Sequence, residues 1–166
     1  MELHIGVVAD DLTGGLIVAG LFEREGLRCP LVTCADEVAS LQAADAVVLA
    51  GRTRLIPAAE AVTAFAAAAA AFEKTDVRRV YYKYCATFDS NQDGNIGPCA
   101  DLLKEACGAE LIGFAPAFPD WNVNVYQGYL FVRGQLVSDS PKRFDPVMPM
   151  LDPNLVSVLQ GQTQAR

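Results

Sequence analysis

A chain of 166 residues, 52% of them hydrophobic and 20% charged, has the size and composition of one folded domain. Its 13 basic and 20 acidic residues give a formal charge of -7, which argues against nucleic acid or an anionic membrane as a partner. The first residues lack the features of a signal peptide, and no apolar run reaches the ~20 residues that span a bilayer. We therefore expect a soluble cytoplasmic protein.

Apolar runs alternate with segments of helical spacing from the start of the chain to residue 115. The runs predict strands over residues 3–9, 29–33, 46–50, 79–84 and 111–115. The segments between them predict helices over residues 14–25, 57–72 and 96–107. Short apolar strands separated by helices are typical of parallel pairing with both faces covered. The predicted fold is an α/β protein with an open, doubly wound, mostly parallel sheet in a Rossmann-like three-layer arrangement.

Prolines punctuate the chain after residue 115, and the pattern changes there. An apolar run at 129–132, a turn at Gly134 and a second short run at 135–137 predict a β-hairpin in this C-terminal segment. Residues 154–159 predict a short helix. We expect residues 1–166 to form a single domain.

Two aspartates and a threonine directly follow the first predicted strand. Asp10 and Asp11 are succeeded by Thr13 and two glycines, at the kind of strand end where open α/β sheets bind ligands. Carboxylates there can accept hydrogen bonds from hydroxyl groups or take a proton from one. In a simpler interpretation, an aspartate or Thr13 only caps the following helix. The segment matches neither standard glycine pattern for nucleotide binding.

Two later strand ends also carry cations. Arg54 follows the third predicted strand, where an arginine can either grip a carboxylate with two hydrogen bonds or lie in solvent. Lys83 ends the fourth strand among aromatic residues and points either into a crevice or past the sheet edge. The spacing from Asp89 to Gly94 imitates a calcium loop but lacks its closing glutamate, so a loop into a helix is the better interpretation. With one histidine and no CxxC pair, no metal site is expected.

Several segments, taken in order, match one known pattern. They are Ala9-Asp10-Asp11-Leu12-Thr13-Gly14, Thr53-Arg54, Tyr82-Lys83-Tyr84-Cys85, Thr87-Phe88-Asp89-Ser90, Gly94-Asn95-Ile96-Gly97-Pro98, Pro116-Ala117 with Pro119, and Val125-Tyr126-Gln127-Gly128-Tyr129-Leu130-Phe131-Val132. Together they resemble the N-terminal domain of the four-carbon acid sugar kinases, with the closest likeness to the 3-oxo-tetronate kinases. The resemblance spans nearly the whole chain.

The resemblance implies an enzyme that phosphorylates a short sugar acid with ATP. It implies that this domain holds the sugar acid and that a separate C-terminal domain, absent from this chain, supplies the ATP and magnesium site. The chain would then be inactive alone, because phosphoryl transfer needs both halves. Arg54 is expected to pair the ligand carboxylate and Asp11 to act as base. The expected substrate-binding residues are Asp10, Asp11, Thr13, Arg54, Lys83 and Thr87.

Three positions depart from the pattern of that family. Ile17, Ala86 and Val123 are apolar where the family carries polar or charged residues. If they line one crevice, it is more apolar than a sugar acid needs. Drift, a changed ligand and an engineered surface are the competing explanations. The alternative function is a non-catalytic binding module, with an apolar face near Ile17, Trp121 and Val123 that contacts a protein partner or a second copy.

Overall fold

A parallel sheet of four strands organises the chain in the computed structural model, which describes residues 4–41, 43–75 and 77–163. The strands lie in the order β2-β3-β1-β4. They are β1 (Ile5–Ala9), β2 (Leu31–Val32), β3 (Ala46–Ala50) and β4 (Arg79–Lys83). The helices between and after them are α1 (Leu12–Arg24), α2 (Ala35–Val38), α3 (Ala58–Glu73) and α4 (Ile96–Ala106). Within the described ranges, no helix is long and apolar enough to cross a membrane.

Both faces of the sheet are covered, because neighbouring residues of one strand belong to different cores. On β1, Val7 packs in a cluster with Ala19 of α1, whereas Val8 packs in a cluster with Phe65 and Phe72 of α3. Alternate residues of a strand point to opposite faces. The doubly wound, three-layer fold predicted from the apolar runs is therefore confirmed.

Helix α1 lies unusually close to the sheet because of one glycine. A Cβ atom on Gly15 would lie 2.9 Å from the Cβ of Ala50 and 3.2 Å from a methyl group of Leu31. Any side chain there would push the helix away from β3. The first turn of α1 is consequently held against the carboxyl ends of the strands.

A small antiparallel sheet follows, made of β5 (Val123–Tyr126), β6 (Tyr129–Val132) and β7 (Gln135–Leu136). Two-residue turns at Gln127–Gly128 and Arg133–Gly134 join them, and all four turn residues have φ between 50° and 84°. Positive φ at both central positions is the geometry that fits the twist of paired strands. The hairpin predicted around Gly134 is confirmed, and β5 is an additional strand.

The antiparallel sheet and helix α5 (Leu155–Gln162) pack around a second hydrophobic core. We call the sheet, the helix and this core the C-terminal lobe. Its fully buried members include Leu130, Val137 and Met150. Asn154 caps α5 by accepting the N–H groups of Val156 and Ser157 at 3.1 and 3.2 Å. The short helix predicted over 154–159 is thus present, and it extends further than predicted.

The strand predicted at 111–115 is wrong. These residues form no strand in the structure, and Leu111 is 89% exposed. Leu111, Ile112 and Phe114 instead line a cavity beside β4, which therefore has one edge without a neighbouring strand in the described chain. A short apolar run indicates a segment that contacts other apolar residues. It does not distinguish a strand from a segment that lines a cavity.

The other predicted boundaries differ by a few residues. The second strand is reduced from 29–33 to Leu31–Val32, and Pro57 precedes α3 as its N-cap instead of lying inside it. Leu3, at the start of the first predicted strand, lies outside the described residues.

Matched leucine substitutions test this division between core and cavity wall. Leu130→Ala should lower the free energy of unfolding by about 2–5 kcal/mol, because Leu130 is fully buried in the C-terminal lobe. Leu111→Ala should change it by less than about 0.5 kcal/mol, because Leu111 is exposed. Urea unfolding of both variants measures the difference. A comparable loss in Leu111→Ala would show that residues 111–115 belong to the core.

Candidate functional site

A cavity of about 690 Å³ runs along β4, and its polar part lies at the carboxyl ends of β1 and β4, where the polar strand-end motifs meet. Its polar wall contains five of the six predicted substrate-binding residues, namely Asp11, Thr13, Arg54, Lys83 and Thr87. The sixth, Asp10, is 1% exposed and lies behind this wall. Residues that are distant in sequence are thus collected at one edge of the sheet, as expected for an open α/β fold.

The buried Asp10 and the partly buried Arg54 form a two-pronged ion pair at the polar wall of the cavity. Arg54 donates from Nε to Oδ2 of Asp10 at 2.9 Å and from Nη2 to Oδ1 at 2.8 Å. The same Nη2 lies 2.7 Å from Oδ1 of Asp11. Arg54 therefore binds both aspartates of the first motif. These contacts engage Nε and Nη2, and the expectation that Arg54 also pairs a ligand carboxylate stays a prediction.

Burial sets the electrostatics of this pair. Burial raises the pKa of Asp10, and the hydrogen bonds and charge of Arg54 oppose that rise. Burial also lowers the pKa of Arg54, but its hydrogen bonds to Asp10 outweigh this, so the guanidinium is more firmly charged than usual. Each charge is costly to bury without the other. The pair is consequently a fixed structural unit that presents Asp11 to the cavity.

Asp11 has two functions in the structure, and both come from its position at the start of α1. Its Oδ1 accepts the N–H of Gly14 at 2.7 Å, which is the helix cap expected in the simpler interpretation of the sequence. The side chain also lines the cavity. A Cβ atom on Gly14 would lie 2.6 Å from that Oδ1 and 3.4 Å from Nζ of Lys83. The cap therefore requires a glycine, and it brings a carboxylate and an ammonium group to the same helix end.

Lys83 lies in the polar wall of the cavity, where a ligand can reach its charge. It ends β4 and lines the cavity, and its Nζ donates to the backbone carbonyl of Tyr84. In the part of the chain that the structure describes, Lys83 forms no ion pair with a carboxylate. Its charge lies beside the N-terminus of α1, where free backbone N–H groups also favour an anion.

Thr87 belongs to a polar chain that reaches the C-terminal lobe. Its hydroxyl donates to Oδ1 of Asp89 at 2.6 Å, and Cys85 Sγ lies 3.1 Å from the Thr87 oxygen. Nζ of Lys142 lies 2.8 Å from the same Oδ1 of Asp89 and 2.9 Å from Oδ2 of Asp145. Lys142 was missed in the sequence analysis, because nothing in the sequence links it to a loop that lies so far before it.

The sequence suggested either a calcium loop or a loop into a helix for residues 89–94. Asp89 is bound by Lys142, and Asn91 accepts the N–H of Asp93 at 2.9 Å in a local turn. Across residues 4–41, 43–75 and 77–163, no three His, Cys, Asp or Glu side chains are grouped so that they could hold a metal ion. The segment is a loop into α4, as the sequence favoured.

Asn95 holds the loop that carries Arg54. Its side-chain amide donates to the carbonyls of Thr53 at 2.7 Å and Ile56 at 2.9 Å, and the residue is buried. A satisfied buried amide of this kind fixes a loop in place. Sequence reasoning placed Asn95 only at the start of a helix, although a polar residue just before a buried apolar turn was a usable signal.

The rest of the cavity wall is apolar. Ile17, Ala86 and Val123, the three departures from the family pattern, all line this one cavity. Val123 is 4% exposed and belongs to the core of the C-terminal lobe, so it cannot form part of an outer contact face. Trp121 is 56% exposed and packs on Phe118 with ring centroids 4.9 Å apart. Other apolar lining residues are Val18, Leu21, Val80, Leu103, Leu111, Ile112 and Phe114.

Comparisons with known proteins fit this geometry. A family model described as a sugar-binding N-terminal domain matches residues 5–166. A 3-oxo-tetronate kinase from Brucella melitensis is 40% identical over 167 aligned positions, which cover 99% of this chain and 38% of that protein.

Two solved structures share the fold. One from Salmonella typhimurium LT2 has 37% identity and a TM-score of 0.91, covering 99% of this chain and 40% of that one. One from Bordetella bronchiseptica, with bound citrate and as a domain-swapped dimer, has 28% identity and a TM-score of 0.83, covering 95% of this chain and 39% of that one. The chain thus spans about two fifths of the length of these relatives.

Removing Arg54 should destabilise the fold in a pH-dependent way. Arg54→Ala should lower the free energy of unfolding by about 3–5 kcal/mol at about pH 7, because it leaves Asp10 buried without a counter-charge. The pKa of Asp10 is already raised by burial and will rise further, so the folded variant binds a proton more tightly than the unfolded chain. Its stability should therefore increase as the pH falls to about 4.5.

Urea unfolding at both pH values measures this effect. Arg52→Ala is the matched control, because Arg52 is exposed and lies in the same loop. An equal loss of unfolding free energy for Arg54→Ala at both pH values would contradict the explanation that an unpaired, ionised Asp10 destabilises the fold.

Proposed function

This chain belongs to the family of sugar-binding N-terminal domains, and we propose that it is the acid-binding domain of an ATP-dependent kinase for a four-carbon sugar acid. Candidate acids are 3-oxo-tetronate, threonate and erythronate. The observation that carries the proposal is the convergence of Asp11, Lys83 and Thr87 on one cavity wall, with Arg54 holding the aspartates behind it. That wall offers the positive charges of Lys83 and Arg54 and several oxygen acceptors, which is what a hydroxylated carboxylate needs.

The ligand carboxylate would bind between Lys83 and the N-terminus of α1. Lys83 supplies an uncommitted charge, and the first turn of α1 supplies backbone N–H groups together with the hydroxyl of Thr13. The citrate in the Bordetella bronchiseptica relative supports a carboxylate-bearing ligand. In this arrangement the role first given to Arg54 passes to Lys83, and Arg54 becomes the residue that orients Asp10 and Asp11.

Asp11 would orient the hydroxyl that is phosphorylated and take its proton. As the hydroxyl oxygen formed its bond to the terminal phosphorus of ATP, its proton would pass to the carboxylate of Asp11, and the bond from that phosphorus to the oxygen retained by ADP would break. Most of the catalysis in such a transfer comes from positioning and charge around ATP and magnesium. The described residues offer neither a glycine pattern for nucleotides nor a metal cluster, so we propose that the remaining length of the relatives supplies both.

A second function is favoured by the apolar part of the cavity. A cavity of about 690 Å³ is much larger than a four-carbon acid requires, and Ile17, Ala86 and Val123 make part of its wall apolar. A non-catalytic module on the same scaffold would use this wall to hold a larger apolar group or a protein segment. The domain-swapped dimer of the Bordetella bronchiseptica relative makes self-association a concrete form of this alternative.

Calorimetric titration with 3-oxo-tetronate, D-threonate and D-erythronate tests the proposed ligand class. The folded chain should bind at least one acid saturably, and Lys83→Met should weaken that binding by about tenfold or more, because a charge-assisted hydrogen bond is lost. Lys74→Met is the matched control, since Lys74 is exposed at the end of α3.

Two outcomes would contradict the proposed function. The absence of heat with all three acids, from a sample shown to be folded, would exclude a sugar-acid domain. Binding of a medium-chain fatty acid in preference to the sugar acids would favour the non-catalytic module, because only the apolar wall can distinguish those ligands.

A further inference from the structure

A chain of hydrogen bonds connects the C-terminal lobe to the cavity. It begins at Lys142, in the short helix Pro141–Phe144, passes through Asp89 and ends at Thr87. Only Thr87 lines the cavity; Asp89 and Lys142 stand behind it. The hydrogen-bonded route from Lys142 to a ligand therefore runs through the Thr87 hydroxyl.

Lys142 is held firmly in this position. Asp145 binds Nζ at 2.9 Å, and its Oδ1 accepts the N–H groups of Val147 and Met148 at 2.9 Å each. The carbonyl of Lys142 also accepts the N–H of Met150, which is 1% exposed. The side chain of Lys142 is 23% exposed. A lysine fixed on both sides differs from a mobile surface lysine, whose ion pairs contribute little.

The hydrogen bonds that link Lys142, Asp89 and Thr87 can be donated in only one direction. An ammonium group can only donate, and an ionised carboxylate can only accept. Burial would raise the pKa of Asp89, but hydrogen bonds from Lys142 and Thr87 outweigh it and lower the pKa below its ordinary value. With Asp89 ionised, the Thr87 hydroxyl must donate to it. Thr87 then offers the cavity oxygen lone pairs and no proton.

The neighbouring thiol agrees with this direction. Burial raises the pKa of Cys85, so the thiol keeps its proton and can donate it to the Thr87 oxygen across 3.1 Å. One acceptor position on that oxygen remains for a ligand. A ligand hydroxyl can donate a hydrogen bond to this lone pair of the Thr87 oxygen. A ligand carboxylate oxygen cannot, because it has no proton to donate and the two oxygens would repel each other.

We propose that Lys142 is a positioning residue that selects the ligand: through Asp89 it fixes Thr87 as a hydrogen-bond acceptor, so the cavity favours acids with a hydroxyl donor at that point. The inference rests on the proposed function, since it assigns an orientation to the same ligand. The carboxylate lies at Lys83 and a hydroxyl lies at Thr87. Lys142 thereby contributes to specificity from a position that does not line the cavity.

A double-mutant cycle with D-threonate tests this coupling. The proteins are the unchanged chain, Lys142→Met, Thr87→Val and the double variant, each checked for folding by thermal unfolding. Thr87→Val should weaken binding by about fivefold, because the hydrogen bond to the ligand is lost. Lys142→Met should weaken it by a similar factor, because Asp89 loses the group that holds it against Thr87, and the double variant should be no weaker than Thr87→Val. Lys142→Arg should restore binding, because a guanidinium can still donate to Asp89.

The outcomes separate this inference from the proposed function. If the unchanged chain binds D-threonate but the two single losses multiply in the double variant, Lys142 acts independently of Thr87 and the inference is wrong, although the ligand class stands. If Lys142→Met binds as tightly as the unchanged chain, the inference is equally wrong. If the folded, unchanged chain binds none of the three sugar acids, both proposals fail together.

Discussion

Arg54 and Asp10 meet at the polar wall of the cavity, where Asp10 is buried and would be costly to leave without its counter-charge. Their pairing joins the end of β1 to the loop after β3, and the backbone of Asp10 strengthens the junction. Its N–H donates to the carbonyl of Lys83, and its carbonyl accepts the N–H of Thr53. One residue thus ties three neighbouring chain segments together. The positions of Asp11 and Lys83 at the cavity follow from that junction.

The arrangement separates structural charge from charge that a ligand can use. Arg54 is paired with both aspartates, and its permanent charge orients these two carboxylates of the protein. Lys83 forms no such pair among the described residues, and its ammonium group lies at a helix N-terminus. A strongly acidic chain can therefore still present a locally favourable site for an anion, because the deciding interactions act over a few ångströms.

The part of the protein around the parallel sheet and the C-terminal lobe both contribute to the cavity. The parallel sheet contributes the polar wall, whereas Val123 and the segment after α4 contribute much of the apolar wall. The C-terminal lobe also reaches the polar wall through Lys142 and Asp89. Sequence changes in either part can consequently alter what the cavity accepts.

Much of the fold and part of the site could be predicted from the sequence. Apolar runs located the four parallel strands, and strand ends located Asp11, Lys83 and Thr87, because parallel strands bring their carboxyl ends to one edge. The partner of Arg54 could not be predicted, since an arginine at a strand end can serve a ligand or a buried acid equally well. Lys142 and the cavity wall at 111–115 depend on contacts between distant segments, which no local pattern records.

An amide map of ligand binding tests the central claim most directly. Titration of the ¹⁵N-labelled chain with D-threonate should shift the amides of Gly14, Arg54 and Lys83 and of the loop to Thr87, with one common affinity. A second cavity of about 240 Å³, lined by His4, Ile5, Arg78 and Arg79, lies at the opposite ends of the strands and provides an internal control. Shifts confined to that second cavity, or none at the carboxyl ends, would contradict a sugar-acid site built on the Asp10–Arg54 junction.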